Sequence, residues 1–144
     1  MTYLLDANLL IALCDPDHVH HETAHRWFGS LASNHWATCA LTENAFIRIT
    51  GHSTYLNWKR TPVEQIDMLR RFRSLSSHEF WADDVSLLDP RIWISAEGVR
   101  SNELTDLYLL ALAVKRGAKF ATLDRAIPAH RIRGGKEALF ILPT

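Results

Sequence analysis

Short apolar runs alternate with amphipathic stretches along the chain, and no other feature of the sequence narrows the fold as much. The runs are TYLL at 2–5, HWATC at 35–39, EFWA at 79–82, KFATL at 119–123 and ALFIL near the C-terminus. Between them lie segments whose apolar residues recur every three or four positions, the period of a helix with one buried stripe. A mostly parallel sheet flanked by helices is the architecture that this alternation predicts.

The helical segments carry recognisable ends. A run from about Leu9 to Cys14 is stopped by Pro16, which cannot continue the hydrogen-bond ladder. Ala24, Trp27, Phe28 and Leu31 form the stripe of a helix over 20–31, and LTENAFIRIT predicts another over 41–50, ended by Gly51. Thr61, Pro62 and Glu64 give the start of a helix over 62–75, with the threonine and glutamate at capping-box spacing. The strongest helix covers 105–117. Leu107, Leu110, Ala111 and Val114 make its stripe, Asp106 suits its positive end, Lys115 and Arg116 suit the other, and Gly117 closes it. Residues 51–60 lack a period and read as a loop, and 83–98 are mixed.

At 144 residues the chain fits one domain spanning 1–144, a size that buries roughly 70% of the unfolded chain's surface. Sixteen basic side chains balance sixteen acidic ones, so nucleic-acid binding by overall attraction is excluded and any such binding must come from local patches. Two cysteines, Cys14 and Cys39, are too few for a disulfide framework and are expected to be reduced and structural. The start of the chain does not read as a secretory leader, and no segment reaches the ~20 apolar residues of a membrane span. A soluble, cytoplasmic protein is expected.

Four acids stand out by position. Asp6 follows the first strand, Glu43 lies in the first turn of the helix after the second, Asp106 opens the strongest helix, and Asp124 follows KFATL. In an open parallel sheet the strand ends and the starts of following helices share one edge, where ligands gather. Carboxylates that meet there repel and raise one another's pKa unless a cation compensates. Oxygen ligands without cysteine or clustered histidine favour Mg²⁺ or Mn²⁺, which suits phosphodiester hydrolysis by a metal-activated water. Asn8 can hold Asp6 or a water on the metal. Taken singly, each acid also fits a cap, a helix dipole or a turn.

These residues resemble the PIN-domain family of metal-dependent ribonucleases, and in particular the VapC-type toxins of bacterial toxin–antitoxin pairs. The likeness rests on LLDANLLIAL, LTENAFIR around Glu43, LTDLYLLALAVKRG and FATLDRAI, which stand in the family's order along nearly the whole chain. It implies a three-layer α/β/α sandwich with a parallel sheet of about five strands. It also implies that Asp6, Glu43, Asp106 and Asp124 are the catalytic acids that bind one or two Mg²⁺ or Mn²⁺ ions. Asn8 and Thr122 match the family's supporting polar positions. The implied activity is endoribonuclease cleavage of structured RNA, such as tRNA or rRNA loops, by a toxin that commonly dimerises and that a cognate antitoxin inhibits with a basic side chain. The region 51–100 matches in general plan only and would carry substrate choice.

Other features have plainer readings. His18, His20, His21 and His25 are dense, and His21 with His25 has zinc-clamp spacing, yet a polar helix face accounts for them. Lys59, Arg60, Arg70, Arg71 and Arg73 can form a phosphate-holding patch, Tyr55 and Trp58 can stack on bases, and Arg48 can pair with a site acid or steady a phosphate. Two rival functions remain. DAN after a strand resembles an aspartyl-nucleophile phosphatase, although that chemistry expects an acid where Asn8 stands. A non-catalytic RNA- or partner-binding module would use the acids only to receive a basic segment.

Overall fold

A computed structural model describes residues 1–31, 35–75 and 77–144 of the chain. Five strands form one sheet: β1 (Thr2–Leu5), β2 (His35–Cys39), β3 (His78–Trp81), β4 (Lys119–Thr122) and β5 (Leu139–Ile141). All pairings are parallel and the spatial order is β3-β2-β1-β4-β5. The connecting helices are α1 (Ala7–Cys14), α2 (His21–Gly29), α3 (Ala40–Thr50), α4 (Pro62–Arg73), α5 (Leu104–Lys115) and a single turn, α6 (Gly135–Ala138).

Alternation along the strands builds the layers, because successive side chains point to opposite faces. Leu4, Ala37, Cys39 and Phe120 face α5 and α6, where Leu107, Leu110 and Ala111 cover them. Leu5, Trp36 and Ala121 face the other layer, packed with Leu9 and Leu10 of α1, Ala24 of α2, Phe46 of α3 and Leu69 of α4. Burying each such leucine contributes about 1.5–3 kcal/mol. The expected α/β/α sandwich with a parallel sheet is the observed one.

Differences from the sequence reading lie at element ends. α1 begins at Ala7 rather than Leu9, so Asp6 stands directly at its N-terminus. Ala138 closes a helical turn instead of opening β5. Gly51 ends α3 as expected, but not through left-handed backbone: its φ is −93°, and a Cβ there would lie 2.7 Å from the Ile47 carbonyl oxygen and 2.9 Å from Pro62 Cα. Close approach of α4 therefore demands the glycine. Gly117, just past α5, does adopt left-handed backbone, at φ +62°. Among the described residues no helix is long and apolar enough to cross a membrane.

Strand order fixes where a site can form. From β1 the chain steps outward through β2 to β3, then returns to the other side of β1 for β4 and β5. The reversal falls between β1 and β4, and the crevice beyond their C-terminal ends is the ligand position of such sheets.

Candidate metal centre at the switch point

Asp6 and Asp124 emerge from the two strands that flank the switch point, and Asp106 sits in the first turn of α5, the helix that leads into β4. Asp6 is buried, at 6% exposure. It occupies the N-cap position of α1, yet its side chain makes no capping hydrogen bond of normal geometry. Instead Oδ2 accepts a 2.8 Å hydrogen bond from the Thr122 hydroxyl. Thr122 Oγ1 accepts in turn from the Asp124 backbone N–H at 3.0 Å, and Asp124 Oδ1 accepts from the N–H of Ala126 at 2.8 Å. One buried hydroxyl thus ties the first acid to the loop that carries the last.

The three aspartates act on one another. Burial raises Asp6 above the ordinary carboxylate range, the Thr122 hydrogen bond opposes the rise, and the charge of Asp124 adds to it. Asp106 is pushed up to about 6, first by burial and then by the charges of Asp6 and Asp124. A first-turn acid serving only the helix dipole would move the other way. The donor set is all carboxylate oxygen with a hydroxyl behind it, and its unrelieved repulsion fits a hard divalent cation. Among the described residues no three His, Cys, Asp or Glu side chains are closed into a ligating arrangement, so the trio is coupled but not drawn into a coordination shell.

Glu43 is placed differently. It lies on α3, one strand further from the switch, and its Oε2 accepts from Thr38 Oγ1 at 2.6 Å and pairs with Arg73 at 3.0 Å. The charges that shift Asp106 are those of Asp6 and Asp124. Thr38 gives its one hydroxyl proton to Glu43, so its 2.7 Å contact with His78 is a hydrogen bond donated by His78 Nε2. Burial, and next the Arg73 charge, hold His78 down at about 4, neutral at physiological pH. Thr38 and His78 were not singled out from the sequence. A signal existed: HWATC and KFATL carry the same Ala-Thr pair, and each threonine is fully buried and bonded to one of the acids.

Asn8 is exposed, its backbone N–H directed at Asp6, and Arg48 is exposed on α3 with no ion pair among the described residues. Tyr55 and Trp58 are spent internally: the Tyr55 hydroxyl and Asn57 Nδ2 donate to buried Asp15, and Trp58 Nε1 donates to the Thr50 carbonyl while Arg60 lies over its ring. The His21 ring bonds the Ala12 carbonyl at 2.7 Å, tying α2 to α1. Burial pushes the Cys14 and Cys39 thiols up to about 12 and 11, so both stay protonated and unreactive. A cavity of about 550 Å³ lies between α5 and residues 84–92, lined by Val85, Ile92 and Val114 and by none of the four acids.

The model of the PIN domain matches residues 3–132. The chain belongs to the PIN-domain family. Within it the likeness is to VapC-type members: ribonuclease VapC39 of Mycobacterium tuberculosis is 39% identical over 96% of this chain and 100% of its own length, and ribonuclease VapC44 of the same organism 38% over 93% and 94%. A crystal structure of VapBC2 from Rickettsia felis, bound to a DNA fragment from its promoter, shares the fold at a TM-score of 0.55, covering 89% of this chain and 94% of the matched one at 16% identity.

Proposed function

We propose that this chain, as one nuclease domain over residues 1–144, is a divalent-metal-dependent endoribonuclease and the toxin of a toxin–antitoxin pair. The observation that carries the proposal is the mutual destabilisation of Asp6, Asp106 and Asp124 beside the switch point, in a fold whose relatives are named ribonucleases. Asp6, Asp106 and Asp124 would hold Mg²⁺ or Mn²⁺, with Glu43 joining directly or through water. The bound cation supplies acidification of water and neutralisation of charge at phosphorus. Thr122 keeps Asp6 aimed into the crevice, and Asn8 at the exposed rim is placed to contact solvent or substrate. RNA is the substrate, with an accessible loop of tRNA or rRNA as the point of cleavage. A cognate antitoxin inhibits by bringing a basic side chain to the same carboxylates, and the toxin acts as a homodimer in the cytoplasm.

The test is direct. Purified protein cleaves RNA with Mg²⁺ or Mn²⁺, and Asp6→Asn abolishes cleavage with the circular-dichroism spectrum retained. Activity that survives EDTA or that substitution overturns the reading. Sequencing the 5′ ends of RNA fragments after expression in cells identifies the target.

A further inference from the structure

We propose that Arg73 is a positioning residue that holds Glu43 apart from the aspartates in the free protein and exchanges it for a phosphate of the RNA, releasing Glu43 to complete the site. This inference rests on the ribonuclease reading above and adds to it the means by which substrate finishes the centre.

The ends of α3 and α4 meet here. Glu43 is in the first turn of α3 and Arg73 is the last residue of α4, and their 3.0 Å ion pair closes the two helices against each other. The two bonds on Glu43 Oε2 differ in kind. Thr38 is fully buried and braced from behind by His78, so that bond is fixed in the sheet. Arg73 is the exchangeable partner: its side chain is 38% exposed against 17% for Glu43, and its guanidinium carbon stands 5.5 Å from the ring of Phe80, itself half-exposed on the edge strand. A guanidinium carries five N–H donors in a planar fork, and a phosphate takes two at once where this carboxylate takes one. Its neighbours are less suited. Arg70 is already paired with Asp67 at 2.7 Å, and Arg71 lines a separate groove with Arg60 and Glu64.

Charge explains why the exchange matters. A fourth free carboxylate beside three that already repel would be unfavourable without a cation. Arg73 supplies that cation in the free protein, and its departure to a phosphate leaves four negative groups for a dication to gather. RNA and metal then bind with positive cooperativity, since each removes what opposes the other.

The test measures Mn²⁺ binding to the RNA-free protein by electron paramagnetic resonance, alongside steady-state cleavage of a single-stranded RNA. Arg73→Gln is expected to bind Mn²⁺ about three- to tenfold more tightly than wild type, and the gain is expected to vanish in Arg73→Gln/Glu43→Gln. Structural damage would not tighten metal binding. For RNA, Arg73→Gln raises KM more than it lowers kcat and makes the salt dependence shallower by about 0.7 in log–log slope, one single-strand phosphate contact. Arg73→Lys, which keeps the charge but not the fork, lies between. Mn²⁺ affinity that is unchanged or weaker in Arg73→Gln, or tightening that persists without Glu43, overturns the proposal even if wild type cleaves RNA. A wild type that does not cleave RNA removes the ribonuclease reading, and with it the phosphate exchange.

Discussion

Thr122 Oγ1 donates to Asp6 Oδ2 across 2.8 Å although 116 residues separate them in sequence. The contact exists because β1 and β4 are neighbours in register, with Leu5 opposite Ala121, so the residues that follow each pair lie side by side at the strand ends. A backbone bond from the Asp6 N–H to the Ala121 carbonyl at 3.0 Å extends the ladder to that point. The carboxylate is thereby held by sheet geometry rather than by a loop, the condition for a precise first ligand.

Thr122→Val keeps the shape and removes the donor. The buried Asp6 carboxylate then loses a charge-assisted bond, which costs about 1–3 kcal/mol, read as a lower urea midpoint at pH 7.5. Without that bond the Asp6 pKa rises further, so the acid limb of the cleavage profile moves to higher pH. Thr122→Ser restores both.

The loop at 51–60 makes the opposite prediction. Asp15, fully buried after α1, accepts from Tyr55, Asn57 and the Asp17 N–H. Burial raises its pKa, but these bonds outweigh burial and hold it low. Its stabilisation is therefore full above pH ~4, near the unfolded value, and is lost as pH falls through the lower folded value. Tyr55→Phe is expected to cost about 1–3 kcal/mol at pH 7 and progressively less below pH 4 in urea titrations. RNA cleavage at saturating Mg²⁺ keeps its rate, because Asp15 is at the far end of α1, about 13.5 Å along the helix axis from Asp6.

How much of this was readable from the sequence depends on whether the cause was local. The capping box at Thr61 and Glu64, the stripe of α5 and the strands at 2–5 and 35–39 follow from neighbouring residues, and the structure has them. Strand order is not local. Without it, four acids at strand and helix ends look equivalent, whereas the order puts β4 and β2 on opposite flanks of β1, with Asp6, Asp106 and Asp124 acting on one another at the β1–β4 side and Glu43 paired with Arg73 at the other. Likewise nothing in GHSTYLNWKR says that Tyr55 and Trp58 turn inward, since their partners, Asp15 and the Thr50 carbonyl, come from other elements.

Gly51 tests the packing of the helical hairpin. Its backbone is ordinary, so alanine there carries no conformational penalty, but the added methyl meets Ile47 O and Pro62 with no flexible atom to yield. Gly51→Ala is expected to cost about 1–3 kcal/mol, or roughly 3–9 °C in Tm at this chain length. Gly117→Ala meets open space but must hold φ +62°, at about 1 kcal/mol. Thermal melts rank the two, and a smaller loss in Gly51→Ala than in Gly117→Ala contradicts the close approach.

Asp106 gives the sharpest pH signature. Its folded pKa, about 6, lies above the unfolded 3.8, so ionising it opposes folding. Its contribution to stability is therefore most favourable below pH 4, declines as pH rises toward 6, and stays lower above that. At 1.36 kcal/mol per pH unit of separation the full effect is about 3 kcal/mol; solvent screening of this only partly buried group reduces it to about 1–2 kcal/mol. Asp106→Asn should therefore stabilise the metal-free protein by about that amount at pH 7.5 and by little at pH 4, while abolishing RNA cleavage. Adding Mg²⁺ or Mn²⁺ at pH 7.5 should raise the urea midpoint of wild type and leave that of Asp106→Asn nearly unmoved, because a cation bound only by the folded state stabilises it through mass action. Equal response of the two proteins to the cation, or a destabilised Asp106→Asn at pH 7.5, would contradict the crowding of charge at the switch point.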